Sequence, residues 1–207
     1  MIVEVCANSY ESAINAEVGG ANRIELCKDL HLDGITPDNE VVIKTLNKLK
    51  IPVFMLIRPR AGDFVYTNKE FTLMKSDIIK FKKLGCSGIV SGVLNTDNTI
   101  DIKRTKELIQ LSRPLEFTFH RAFDKIVNPI EGVDQLIKLG VNRILTSGQE
   151  DTAIRGLKLL KELNKINNNR IIILPGAGMK TRFFEVFSKA GFKEIHGSFK
   201  SEINIKF

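Results

Sequence analysis

Short apolar runs rich in Val, Ile, Leu and Phe alternate with longer stretches of helical periodicity from one end of this sequence to the other. Runs of this length are typical of buried parallel strands. Their alternation with helices is typical of repeated βα units. We count eight runs, at residues 2–6, 23–27, 53–57, 88–91, 115–120, 143–146, 170–174 and 194–196.

A glycine repeat supports this count. Four segments place a Gly four residues before an Ile: GANRI at 20–24, GCSGI at 85–89, GVNRI at 140–144 and GFKEI at 191–195. Each indicates a helix that ends on a left-handed glycine, followed by a short loop and a strand. The four segments precede the second, fourth, sixth and eighth predicted strands. The stretch of chain between one segment and the next therefore holds two βα units.

Four pairs of βα units predict an α/β protein with the TIM (β/α)8 barrel fold. An open, doubly wound sheet is the competing architecture, but no GxGxxG follows the first strand and no P-loop is present. For the same reason we expect no nucleotide cofactor. We expect a single barrel domain over residues 1–207, with the eighth helix missing or very short because few residues follow the last strand. This would leave an apolar seam uncovered between the first and seventh helices. We expect another subunit to cover that seam, giving a homodimer or higher homo-oligomer.

Composition excludes several classes of protein. Of the 207 residues, 43% are hydrophobic, and no apolar run approaches the roughly 20 residues that cross a bilayer. The net charge of +7 is not gathered into a basic stripe with aromatics, so we expect neither a nucleic acid nor a membrane as a partner. Three cysteines and an N-terminus without signal-peptide features predict a cytoplasmic protein with reduced thiols.

Three of the predicted strands carry polar residues on one face only. With a period of two, the opposite parity is apolar, so the polar side chains are expected to point into the barrel. Burying charges is costly unless they are paired, so we expect these groups to pair with each other, with Arg58 or with Arg143. The polar sets are Glu4 and Cys6 in the first strand, Arg23, Glu25 and Cys27 in the second, and Glu116, Thr118 and His120 in the fifth.

Cys6 and Cys27 end adjacent predicted strands on the inward parity. Two thiolates suit a soft ion such as Cu(I), which makes this pair a candidate metal site. The alternative is that both are small core cysteines, and the staggered layers inside such a barrel argue against their meeting. The residues assign no role to the third cysteine, Cys86.

Charged residues also gather where the barrel strands are expected to end. FHRAFD at 119–124 brings His120, Arg121 and Asp124 to the barrel mouth, a set that suits acid–base chemistry with an anion clamp. The long loop RPRAGDFVYTNK, which begins with Arg58 and Arg60, follows the third strand at the same end. The alternative for each is a polar residue that only satisfies a neighbour.

Two glycine-containing turns indicate a phosphate site. PGAG at 175–178, with Gly176 and Gly178, precedes a helix predicted to begin near Lys180, and the eighth strand runs into HGS with His196. Barrels often bind phosphate with the loops after these two strands. Ordinary tight turns are the alternative interpretation.

Taken in order, several of these motifs resemble the CutC copper homeostasis family over residues 2–198. The motifs are EVCA at 4–7, RIELC at 23–27, GITP at 34–37, MLIRPR at 55–60, GDF at 62–64, FHRAFD at 119–124, TSG at 146–148 and PGAG at 175–178. The resemblance implies a TIM barrel, a cytoplasmic location, self-association and a role in copper buffering or trafficking through Cu(I) binding. The cysteines proposed as Cu(I) ligands in animal members fall on Cys6 and Cys27.

A second hypothesis belongs to a different class. The chain is then a barrel enzyme, a lyase, isomerase or hydrolase of unknown reaction, acting on a small phosphorylated or carboxylated substrate. Glu25 or His120 moves the proton in that case. The residues expected to bind the substrate are Arg58, Arg60, Arg121, Asp124, Gly176, Gly178 and His196.

Overall fold

The computed structural model describes residues 1–199. All eight predicted strands are present, and a helix separates each strand from the next. The strands are β1 Ile2–Ala7, β2 Arg23–Leu26, β3 Val53–Leu56, β4 Gly88–Ser91, β5 Glu116–Phe119, β6 Arg143–Thr146, β7 Ile172–Pro175 and β8 Glu194–Gly197. The α-helices are α1 Tyr10–Val18, α2 Asn39–Lys48, α3 Asn68–Lys83, α4 Ile102–Ser112, α5 Pro129–Leu139, α6 Leu157–Ile166 and α7 Phe184–Lys189.

The strands form one parallel sheet that is nearly closed into a barrel. Hydrogen-bonded pairing runs from β8 through β1 and along the chain to β7, and β7 lies beside β8. The TIM-barrel prediction is therefore confirmed. The predicted absence of a long eighth helix falls on residues outside the described range, and the single-domain extent of 1–207 stays a prediction. Within residues 1–199, no helix is both long and apolar enough to cross a bilayer.

The four repeated glycines adopt the predicted backbone. Gly20, Gly85, Gly140 and Gly191 have φ values of 95°, 91°, 81° and 86°, a region in which a Cβ atom is strained. Helix starts also follow local signals, because α1 and α3 both begin with a capping box. These local signals fix where each βα unit turns back toward the sheet.

Alternate residues along the strands point to opposite sides of the sheet and belong to two separate apolar cores. The outward residues, such as Val3, Ile24 and Phe117, are buried among the helices in the main apolar core. Inside the barrel a smaller apolar layer contains Cys6 and Cys27 together with Phe54, Leu56 and Val90. The predicted inward and outward faces are confirmed for these strands.

An ion-pair lattice fills the lower barrel interior. Arg23 Nε lies 2.5 Å from Glu4 Oε2, and Arg23 Nη2 lies 2.5 Å from Glu194 Oε2. Arg143 Nε contacts the same Glu194 oxygen at 2.9 Å and also pairs with Glu116. Glu116 differs from the expectation of burial, since its side chain is 48% exposed at the start of β5. The lattice uses Arg143, as predicted, and no ion pair to Arg58 is found among the described residues.

Candidate functional site

A cavity of about 440 Å³ opens where the strands end, at the barrel face on which enzymes of this fold place their chemistry. Its volume lies within the range of roughly 300 to 1,000 Å³ that is typical of small-molecule pockets. Eight predicted site residues line it. They are Cys6, Glu25, Arg58, His120, Arg121, Asp124, Gly178 and His196.

Three other predicted site residues do not line this cavity. Arg60 braces its own loop, with Nη2 2.8 Å from Asp63 and Nε 2.7 Å from Glu70. Gly176 packs so tightly that a Cβ atom there would meet Leu145 at 2.5 Å. Cys27 is fully buried behind Cys6.

The two predicted thiols meet despite the stagger of their strands. Cys6 lies opposite Glu25 in the ladder, yet its Sγ is 3.5 Å from the Sγ of Cys27, the next inward residue of the second strand's run. With metal–thiolate bonds of about 2.3 Å, sulfurs at this distance subtend an angle of about 100° at a shared metal. That angle fits a bent site with a third ligand, whereas a linear two-coordinate site needs the sulfurs about 4.6 Å apart.

Glu25 and His196 supply further ligand atoms beside Cys6. One atom from each of the three residues lies within 4.8 Å of the other two. Glu25 Oε1 accepts a hydrogen bond from Cys6 Sγ at 3.8 Å, while its Oε2 is buried without a partner in the described structure. Burial raises the pKa of Glu25 to about 7, and the hydrogen bond to Cys27 and burial raise the pKa of the Cys6 thiol. Metal binding must therefore displace a thiol proton.

The orientation of His196 depends on Glu4, a contact the sequence analysis did not anticipate. His196 Nδ1 lies 2.7 Å from Glu4 Oε1. Burial opposes ionisation of Glu4, but the hydrogen bond from His196 and the charge of Arg23 lower its pKa to about 2. The ionised carboxylate therefore accepts and Nδ1 donates, which leaves Nε2 for a ligand. Metal-binding histidines are commonly oriented by a carboxylate in this way. Burial opposes the charged form of His196, but the charge of Glu25 and the hydrogen bond to Glu4 raise its pKa, so a metal at Nε2 must compete with a proton.

His120 is held in a defined tautomer. Its Nδ1 accepts a hydrogen bond from the backbone N–H of Ala122 at 3.2 Å, so the proton of the ring lies on Nε2. Burial, followed by the charges of Arg58 and Arg121, lowers the pKa of His120 to about 3. The ring is neutral at pH 7 and presents a hydrogen-bond donor.

Arg58 ties two loops to the cavity wall. Its Nη1 donates to the carbonyl oxygens of Leu32 and Gly34, both at 2.9 Å, and its Nη2 donates to Gly62 at 3.0 Å. The guanidinium also lies over the ring of Phe64, 5.1 Å from its centroid. Its terminal nitrogens are thus occupied by backbone oxygens, and its main effect on the cavity is its positive charge.

The FHRAFD and TSG motifs meet at the opposite wall. Arg121 Nε lies 2.9 Å from Asp124 Oδ2, and Asp124 Oδ1 accepts from Thr146 Oγ1 at 2.5 Å and from the N–H of Ser147 at 2.9 Å. These contacts hold Asp124 in place. Its partner Arg121, whose side chain is 38% exposed, lies at the rim of the cavity.

The PGAG turn borders the cavity through Ala177 and Gly178. The helix predicted near Lys180 begins later than expected. A 3₁₀ turn over Thr181–Phe183 precedes α7, which begins at Phe184.

Comparisons with known proteins agree on one family. The model of the CutC family matches residues 1–201. A Homo sapiens protein named copper homeostasis protein cutC homolog is 43% identical over 201 residues, covering 97% of this chain and 74% of that protein. A Proteus mirabilis protein named as a CutC family protein is 43% identical over 196 residues, covering 95% and 78%.

Solved structures support the same assignment. A Streptococcus agalactiae structure named for copper homeostasis and CutC has a TM-score of 0.90 at 32% identity, covering 96% of this chain and 98% of that one. A solved aldolase has a TM-score of 0.72 at 13% identity, with 96% and 89% covered, and that likeness shows the barrel fold alone.

Proposed function

This chain belongs to the CutC copper homeostasis family, and from that premise we propose that it binds one Cu(I) ion through Cys6 and Cys27. The observation that carries the proposal is the 3.5 Å separation of the two sulfur atoms at the inner end of the cavity. Soft thiolates are the ligands that Cu(I) prefers. Reduced thiols and a role in buffering or transferring the ion fit a cytoplasmic location.

His196 Nε2 is the third ligand in this proposal. The angle of about 100° between the sulfurs leaves room for it, and the contact from Glu4 to Nδ1 orients the ring. Imidazole suits copper better than a carboxylate does. Glu25 then acts beside the metal rather than on it.

Charge balance gives Glu25 its role. Each thiol loses one proton when Cu(I) binds, so two thiolates and one Cu(I) carry a net charge of −1. A protonated Glu25 next to Cys6 avoids like-charge repulsion with this group, and its raised pKa of about 7 favours that form. Binding is therefore expected to release protons and to strengthen as the thiols become easier to ionise.

We also propose that the chain assembles as a homodimer or higher homo-oligomer. Several apolar side chains are exposed on the outer surface, among them Val18 on α1 and Val186 on α7, the first and last α-helices of the described part of the chain. Light scattering at micromolar concentration tests this, and a monomeric mass contradicts it.

The copper proposal is tested by anaerobic titration of the reduced protein with Cu(I) against a competing chelator. We expect one ion per chain with a sub-picomolar dissociation constant, which corresponds to a binding free energy of roughly −16 kcal/mol or stronger. Cys6→Ser and Cys27→Ser should each weaken Cu(I) binding by about 100-fold or more. Replacing a residue that only orients a metal ligand usually weakens binding by less than this. Cys86→Ser is the matched control, because that buried cysteine lies outside the site. Equal binding by all three variants contradicts the proposal.

A second candidate function is supported by unsatisfied polar atoms in the cavity. Glu25 Oε2 and His120 Nε2 are buried and have no hydrogen-bond partner in the described structure. Such groups are costly unless a ligand or water satisfies them. In this candidate the chain is a lyase, isomerase or hydrolase for a small phosphorylated or carboxylated substrate, with Glu25 as the proton carrier and Arg121 at the rim. Turnover that Glu25→Gln abolishes, while Cu(I) binding persists, favours it.

A further inference from the structure

His120 lines the cavity and carries a single N–H donor on its ring. The side chain is 4% exposed, and the N–H of Ala122 occupies Nδ1. Nε2 therefore carries the ring proton, and no acceptor lies within hydrogen-bond distance of it among the described residues. A buried N–H without an acceptor is costly, so a ligand that satisfies it is favoured.

The surrounding packing prevents the ring from turning away. A Cβ atom on Gly92 would lie 2.8 Å from His120 Nδ1 and 2.9 Å from Cε1, so the ring fits only because that position is glycine. Phe64 packs against the ring with centroids 4.9 Å apart. The donor is thus held in place before any ligand arrives, which lowers the entropic cost of binding.

The charges that act on this donor are those of Arg58 and Arg121, although the carboxyl groups of Glu25, Asp33 and Asp151 line other parts of the cavity. Arg58 is 4% exposed and lines the same cavity, yet it has no carboxylate within ion-pair distance in the described part of the chain. Its hydrogen bonds go to carbonyl oxygens, which carry no net charge. A buried cation without a counter-charge favours an anion in the adjacent space. Arg121 adds a second positive charge at the rim, although Asp124 partly compensates it.

From this arrangement we propose that the cavity holds an oxyanion subsite in which the Nε2–H of His120 donates to a carboxylate or phosphate oxygen of a small ligand, with Arg58 as the counter-charge. The proposal rests on the second candidate function and assigns the groups that would hold the anionic end of its substrate. The subsite is separate from the thiol pair, because β5 and β1 lie four strands apart in an eight-stranded barrel.

This role differs from the general acid or base predicted for His120. The low pKa keeps the ring neutral at pH 7, so it donates a hydrogen bond without transferring its proton. A fixed neutral donor in a positive environment stabilises negative charge on oxygen.

The test uses the copper-free, reduced full chain and two probes, pyruvate as the carboxylate and inorganic phosphate as the other anion. Calorimetry measures the dissociation constants, and ¹⁵N NMR of the ring measures which nitrogen carries the proton. We expect at least one probe to bind in the millimolar range or tighter and to shift the Nε2–H signal of His120. Comparing the two probes shows whether the subsite binds a carboxylate or a phosphate.

Three variants separate the donor from the fold. His120→Phe keeps a ring but removes the donor, and should weaken binding by about tenfold to 100-fold. His120→Gln keeps an N–H donor and should retain most of the affinity. His31→Phe makes the same change at an exposed imidazole and should bind like the wild type.

Several results overturn the proposal: no millimolar binding of either probe, equal binding by His120→Phe, or a ring proton found on Nδ1. The last measurement holds even if His120→Phe fails to fold. Probe binding without turnover of any substrate leaves the subsite standing and removes the enzyme candidate. Turnover of a substrate without binding of either probe contradicts the subsite and leaves the enzyme candidate standing.

Discussion

Replacing Glu25 by Gln should stabilise the folded protein at neutral and alkaline pH. Glu25 is 4% exposed, its Oε2 has no hydrogen-bond partner among residues 1–199, and burial raises its pKa from 4.5 to about 7. The folded state therefore keeps a proton that the unfolded state releases. Between pH 4.5 and 7 the unfolded chain binds fewer protons, so the free energy of unfolding falls as the pH rises through this window.

The size of the effect follows from the same two pKa values. At 1.36 kcal/mol per pKa unit, the rise from 4.5 to about 7 corresponds to a cost of about 3 kcal/mol once both states are ionised. Gln is isosteric and neutral, so Glu25→Gln should gain up to about 3 kcal/mol at pH 8 and nothing near pH 4. Such a cost in the wild type is expected of a group kept for its chemistry rather than for stability.

Urea unfolding at pH 4 and pH 8 measures the difference, provided that the m-value is unchanged. Glu4→Gln is the matched control on the neighbouring strand. The pKa of Glu4 is lowered to about 2, so its ionised form stabilises the fold above pH 4.5 and this stability is lost as the pH falls toward 2. Glu4→Gln should therefore destabilise at pH 8 by a similar amount. Equal effects of Glu25→Gln at both pH values, or a loss of stability at pH 8, refute the reasoning.

Two further predictions concern the barrel interior and the cavity. Glu194→Gln leaves the buried guanidinium groups of Arg23 and Arg143 without their shared carboxylate. It should lower the free energy of unfolding, measured by denaturant titration, by about 3 to 5 kcal/mol. A loss below about 1 kcal/mol, which is the usual effect of a surface pair, argues against a buried lattice. Gly92→Ala forces the ring of His120 to move and should weaken binding of the anion probe in calorimetry, with a smaller effect on Cu(I) affinity; unchanged anion binding argues that the ring position is not important.

The sequence determined the barrel, because its signals are local. Alternating runs located all eight strands, and glycines such as Gly20 and Gly140 marked helix ends where only a left-handed backbone fits. The period of two also showed which side chains face inward, so Cys6 and Glu25 were found as neighbours of the cavity. These features depend only on residues close together along the chain.

The tertiary structure decided which inward groups are partners. Glu4 meets His196, and Arg23 meets Glu194, only because β8 returns to pair with β1 at the other end of the chain. The same closure buries Glu25, whose Oε2 has no hydrogen-bond partner among the described residues, and this burial raises its pKa. Sequence parity places a charge inside the barrel, but the strand register and the burial around it decide whether that charge is paired, neutral or left for a ligand.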